Sequence, residues 1–148
     1  MQSIYESATL QELLKRIDKL TPESKNQWGK MNVGQMLAHC SAALEVALGD
    51  ASPKPTLMGR LIGPLVKSLL TNEKPFKQNL PTDKTFLMTG DKDFNQEKAK
   101  LTKLVTRLSN AGKDMNNRKH PFFGMLTPGE WSNAMIKHLD HHLRQFGV

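Results

Sequence analysis

A single cysteine, Cys40, stands among the 148 residues, so no disulfide can form within the chain, which fits a reducing compartment. Aromatic residues are scarce at 6%, too few for the stacking platforms that single-stranded nucleic acid requires. The basic excess, 21 Lys and Arg against 14 Asp and Glu for a net charge of +7, is dispersed. Lys15, Arg16, Lys98, Lys100, Lys103, Arg107, Arg118 and Lys119 form no block of five like charges, so a nucleic-acid partner is not expected. The first residues, MQSIYESATL, have neither a basic start nor an apolar stretch, so no signal peptide is expected there. The most apolar run, LMGRLIGPLVKSLL, is broken by Arg60 and Lys67 and is too short to span a bilayer. These absences predict a cytoplasmic chain without a membrane partner. No internal repeat, low-complexity tract or strand-period segment is visible either.

Helical periodicity is abundant. Leu10, Leu13, Leu14, Ile17 and Leu20 follow the i, i+3, i+4, i+7 pattern of a first helix, with Thr9 and Glu12 spaced as a capping box. A second helix is predicted to start at Asn32, with Gln35 as capping partner, and to stop near Gly49. Its stripe of Val33, Met36, Leu37, Cys40, Leu44, Ala47 and Leu48 is broad enough to place it centrally. Residues 49–92 carry Pro53, Pro55, Pro64, Pro75 and Pro81 and read as a crossover containing one short kinked helix around Pro64, then extended loop. A third long helix starts at Asp93 with Gln96 as partner and ends at Gly112; KDMNNRKHPFFGML reads as loop. Thr127, Pro128 and Glu130 open the last helix. The expectation is one all-α domain over residues 1–148, a bundle of four helices with a crossover long enough for the second and third to run parallel.

The last helix carries KHLDHHLRQF. At about 100° per residue, Trp131, Met135, His138, His142 and Phe146 share one sector roughly 80° wide, with Gln145 on its flank. His138 and His142 therefore lie one turn apart on the inward face, and His141 falls toward its edge. Two imidazoles so placed can share a metal ion, which takes histidine nitrogen at about 2.0–2.1 Å, or can each bond a polar group across the core. The glutamate of an HExxH metalloprotease is missing, since Leu139 follows His138. His39 on the second helix is the candidate third ligand, although it lies about 120° from the centre of that helix's stripe and could equally donate to a carbonyl. Cys40 points about 100° away from His39 and reads as core. His120, before Pro121, is either a substrate contact or a backbone cap. Trp131 reads as core, and Glu45 and Glu130 are candidates for acid–base work, Glu130 already serving as a cap.

The segments VGQMLAHC, GRLIGPLVKSLL, KPFKQNLPT and HPFFGMLTPGEW…HLDHHLRQFG together resemble the DinB/YfiT-like superfamily, over nearly the whole chain. They are most similar to a small, functionally unassigned bacterial branch with an HPFFG…EW…HHLRQFG tail. The resemblance implies a four-helix bundle in up-down-down-up order. It also implies a divalent metal, zinc or nickel foremost, on three histidines, which here match His39, His138 and His142. Relatives use low-molecular-weight thiols such as glutathione, mycothiol or bacillithiol, and many form homodimers.

Two functions follow as expectations. One is a metal-dependent enzyme carrying out thiol S-transfer or related nucleophilic chemistry on a small molecule. His141 and Gln145 would then support the ligands or line the pocket, Trp131 would be a contact, and Arg118, Lys119 and His120 would anchor an anionic substrate. The other is a non-catalytic helical module, for binding or stress response, whose histidines are structural.

Overall fold

A computed structural model describes residues 2–54, 57–116 and 118–148, with backbone alone for 58–60 and 113. Pro55 lies outside the described residues, as does the Arg60 side chain. The described residues are mostly helical: α1 (Ser7–Asp18), α2 (Val33–Leu48), α3 (Leu57–Thr71), α4 (Phe94–Ala111) and α5 (Pro128–Gln145).

Local chemistry sets most of the ends. The Asn32 side chain accepts from the Gln35 N–H, and the Gln35 side chain accepts in return from Asn32, so the first turn of α2 has both orphan donors satisfied. Gly49, at φ 79°, closes that helix in the left-handed conformation that glycine adopts without strain. Asp93 caps α4 through the Gln96 N–H, and Thr127 and Glu130 form the reciprocal box at the start of α5, with Pro128 in its first turn.

The start of α1 differs from the sequence expectation. The helix begins at Ser7, and Thr9 is buried inside it rather than capping it with Glu12. Tertiary docking overrides the local signal: fully buried Ile4 donates its N–H to Ser132 Oγ at 2.9 Å, and Tyr5 donates its hydroxyl hydrogen to the Pro128 carbonyl at 3.0 Å. The chain is thus anchored on α5 before α1 begins.

Two further corrections concern the connections. The segment after α4, expected to be loop, holds a 3-10 turn, Gly112–Met115, and an antiparallel hairpin of β1 (Arg118–His120) and β2 (Gly124–Leu126). Arg118 pairs with Leu126 and His120 with Gly124. The fold is therefore mostly helical rather than strictly all-α; strands of three residues are too short to show a period of two. The helix in the crossover is not short. α3 runs for 15 residues through Pro64 because neighbours hold it at several points. Lys67 donates to the Met125 carbonyl at 2.8 Å and pairs with Glu130, while Asn133 and Lys137 of α5 donate to the Thr71 and Leu69 carbonyls at its C-terminus. Its outer face leaves Leu57, Leu61, Leu65 and Leu69 exposed. The described residues between α3 and α4 are irregular, with a turn at 78–79 and a 3-10 turn at Lys84–Phe86.

The core lies where α2 packs on α4 and α5, with α1 against α4 and α5 and α3 against α5. Met36, Leu37, Leu44, Leu101, Leu108, Trp131 and Leu139 fill it, each under 2% exposed, so these helices have no rotational slack. None of the described helices is long and apolar enough to cross a membrane.

The closest constraint on α3 is Gly63: a Cβ there would stand 1.7 Å from the Phe122 carbonyl oxygen, a backbone atom with no room to retreat. Gly63→Ala should cost about 2–3 kcal/mol and lift α3 off the hairpin. Thermal melting combined with limited proteolysis within α3 checks this; an unchanged melting point and cleavage pattern would mean that α3 does not rest there.

Candidate metal centre

His39, His138 and His142 converge although 99 residues separate the first two. On α2, the stripe through Met36, Cys40 and Leu44 turns into the core, which leaves His39 on the neighbouring face toward α5 and the crossover. On α5, His138 and His142 are one turn apart and point the same way. The ligand nitrogens of the three all lie within 4.8 Å of one another, close enough to hold one metal ion. Ring centroids are 4.9 Å apart for His39 and His138 and 4.7 Å for each of the other two pairs. His39 and His142 are buried, and His138 is half-buried with its open side to a cavity.

Partners assign the tautomers. His39 Nδ1 lies 2.9 Å from the Phe86 carbonyl, which can only accept, so Nδ1 carries the hydrogen and Nε2 is a bare lone pair. Gln145 Nε2 donates to the Trp28 carbonyl at 2.7 Å, which turns Gln145 Oε1 toward His142 Nδ1 at 2.8 Å. His142 Nδ1 is thus the donor there, and its Nε2 is bare as well. His39 Nε2 and His138 Nε2 are 3.0 Å apart, so the neutral cluster holds one hydrogen between them, donated by His138. With the His138 hydrogen moved to its Nδ1, a cation would meet three lone pairs facing one centre, each of the two outer rings braced by a carbonyl-type acceptor, as metal-binding histidines usually are.

Electrostatics favour the uncharged form. Burial, foremost, holds His39 below its ordinary value, against the opposing Phe86 carbonyl. Burial lowers His142 to about 3, and burial with the neighbouring His142 and His39 takes His138 well below the usual range. All three are neutral bases at pH 7, the form that binds metal.

The cluster opens into a cavity of about 960 Å³ bounded by α2, α3, α5, the hairpin and the crossover. His141 lies in its wall, half-buried between the edges of Trp28 and Phe76, and its proton affinity is lowered by burial. His120 also lines the cavity, but it sits on β1 and its Nδ1 accepts from the Phe122 and Phe123 N–H groups, a backbone cap. Other residues expected near the site are directed elsewhere. The Arg118 guanidinium donates to the Leu48 carbonyl and, at 3.2 Å, to that of Asp114, beneath the C-terminus of α2. Lys119 is exposed on the hairpin, outside the cavity wall. Trp131 is 0% exposed in the core, its Nε1 donating to the Arg118 carbonyl. Cys40 is core beside Met36, its thiol pushed up by burial. Glu45 pairs with Lys100 at 2.8 Å rather than standing free, and Glu130 with Lys67 at 2.8 Å. Phe86, Trp28 and Phe76 were not anticipated. They come from irregular segments, where no periodicity reports which way a residue faces.

A family model described as a protein of unknown function (DUF1569) matches residues 4–147. No curated protein and no solved structure matches the chain.

The buried histidines make stability depend on pH. Burial lowers His120 to about 4, whereas the unfolded chain takes up the proton near 6.5. Between those values the unfolded state binds more protons, so stability is full above about pH 6.5 and falls as pH drops toward 4. Each such histidine contributes a slope of up to about 1.4 kcal/mol per pH unit. Denaturant titrations at several pH values should show the wild type weakening through this window and His120→Phe weakening less steeply. Equal slopes would mean that His120 is not held neutral.

Proposed function

The chain belongs to the DUF1569 family of proteins of unknown function, and on that premise we propose that it is a DinB/YfiT-like metalloprotein. In this reading His39, His138 and His142 bind one divalent ion, zinc or nickel, at the floor of a small-molecule cavity. The observation that carries it is the pair of braced rings. Phe86 and Gln145 hold the hydrogens of His39 and His142 on Nδ1, so that bare Nε2 atoms face a common point where His138 also arrives. Among the described residues, hydrogen bonding pairs His39 Nε2 with His138 but offers His142 Nε2 no donor, whereas one ion would engage all three.

The helical contacts support the same reading. α1 touches α4, α4 touches α2, α2 touches α5 and α5 touches α1, a closed ring suited to four helices in up-down-down-up order, with α3 as an addition to the crossover.

A bound divalent ion would supply Lewis acidity to a small molecule entering the cavity. The chain's own residues would bind and orient that molecule. Phe86 and Gln145 keep the imidazoles in place and in the basic tautomer, and the apolar walls exclude water. The reaction this favours is metal-assisted transfer or addition at a thiol or a similar group. Basic residues noted in the sequence take little part. Arg16 is bound to Asp140, Lys98 to the α1 C-terminus, Lys100 to Glu45 and Arg107 to Asp50, so they build the fold rather than a polyanion-binding surface.

Elemental analysis of the purified chain should find about one metal per chain, retained on gel filtration. His142→Ala should lose it, and Gln145→Ala should keep it with about 10–100-fold weaker affinity. Unchanged metal content in His142→Ala would overturn the assignment. No metal after incubation with excess zinc and nickel would make the cluster structural and the chain a non-catalytic module.

A further inference from the structure

We propose that the cavity above the three histidines takes a ligand with one metal-binding head and an uncharged, largely apolar body, and that it disfavours polyanionic thiols of the glutathione type. The inference rests on reading the histidines as a metal centre and names the class of molecule that centre would serve.

Volume does not discriminate, since about 960 Å³ would hold either kind of ligand. The composition of the wall does. Val46 from α2, Ile62, Val66 and Leu70 from α3, Phe122 from the hairpin and Met135 from α5 surround the space in front of the rings. Among the described lining residues the charged side chains other than histidine are Lys30 and Asp83, one of each sign. Both are exposed, and Asp83 already caps the 3-10 turn through the Thr85 N–H at 2.8 Å. Asn79 and Thr82 are likewise exposed.

Deeper in the wall, most polar groups are committed; the exception is Trp28 Nε1, a buried N–H without a partner among the described residues, which can meet one ligand oxygen but carries no charge. Gln145 is bonded to His142 and Trp28, and His120 Nδ1 to the hairpin backbone. The guanidinium that might have met a carboxylate, that of Arg118, is bound beneath α2. Among the described lining residues Lys30 is the one cation, at the exposed rim, so a ligand carrying two carboxylates would place the second against apolar wall or leave it outside, and either lowers what its body gains from the cavity. An apolar body loses nothing there and gains from leaving water.

The test uses the zinc-loaded chain, its loading of one ion per chain established first by elemental analysis, and three hydroxamates that share one metal-binding head. These are acetohydroxamate, octanohydroxamate and the monohydroxamate of octanedioic acid, whose tail ends in a carboxylate. Calorimetric titration should show octanohydroxamate binding at least about 100-fold tighter than acetohydroxamate, and the carboxylate-ended tail losing at least tenfold of that gain. In Val66→Glu the zinc should remain while the advantage of the octyl tail shrinks. Equal affinity for all three probes, or a preference for the carboxylate tail, would overturn the proposal while leaving the metal centre intact.

Should the chain take up neither zinc nor nickel, the metal reading fails by itself, and the cavity is judged on the metal-free protein. There 1-octanol should raise the melting temperature and glutathione should not; the reverse order would overturn the proposal.

Discussion

Three imidazoles gathered in a largely buried place, their ligand nitrogens all within 4.8 Å of one another, persist by staying uncharged, with the His39 and His142 hydrogens directed outward to Phe86 and Gln145. That requirement organises much of the structure. α2 and α5 must present His39 and His142 at the same height. The crossover must bring the Phe86 carbonyl to His39, and the segment before α2 must bring the Trp28 carbonyl to Gln145. A proton added to any ring would meet two neighbouring rings with no anion beside them, so the arrangement holds only while burial keeps proton affinity low.

Positive charge has been moved away from this place and used at helix ends. Lys98 reaches the Asp18 and Leu20 carbonyls after α1, Arg118 the Leu48 carbonyl of α2, and Lys137 the Leu69 carbonyl of α3. Three helix C-termini are thus each met by a cation from a different element, where the helix dipole and the unpaired carbonyls both favour it. The net charge of +7 is therefore partly a record of how the helices are tied together.

Features with a local physical cause were legible in the sequence. Asn32 with Gln35, Asp93 with Gln96 and Thr127 with Glu130 mark helix starts through hydrogen bonds that span three residues, and no distant partner decides them. The i, i+4 relation of His138 and His142 is equally local, which is why it could be read as one site face. Partners from irregular segments escaped. Nothing in KPFKQNLPTDKTF marks the Phe86 carbonyl as the one that faces His39, because a backbone acceptor carries no side-chain signature. Arg118 looked like an anchor for anions because its neighbours are basic, yet the register of a hairpin too short to detect directs it under α2. The capping pair at Thr9 and Glu12 was real chemistry outcompeted by the docking of Ile4.

The separation of the histidines along the chain also bears on the order of assembly. His39 lies 99 residues before His138, so a growing chain offers one imidazole on a finished α2 for most of its synthesis. Until α5 follows, the face of α2 that will become cavity wall has lost its cover, and the crossover has nothing to close against. Completion of the centre is then a late, long-range event with a large loop to close, whereas the contact of α2 with α4 needs none of the last helix. A folding order of this kind leaves the three imidazoles apart until the last helix has arrived.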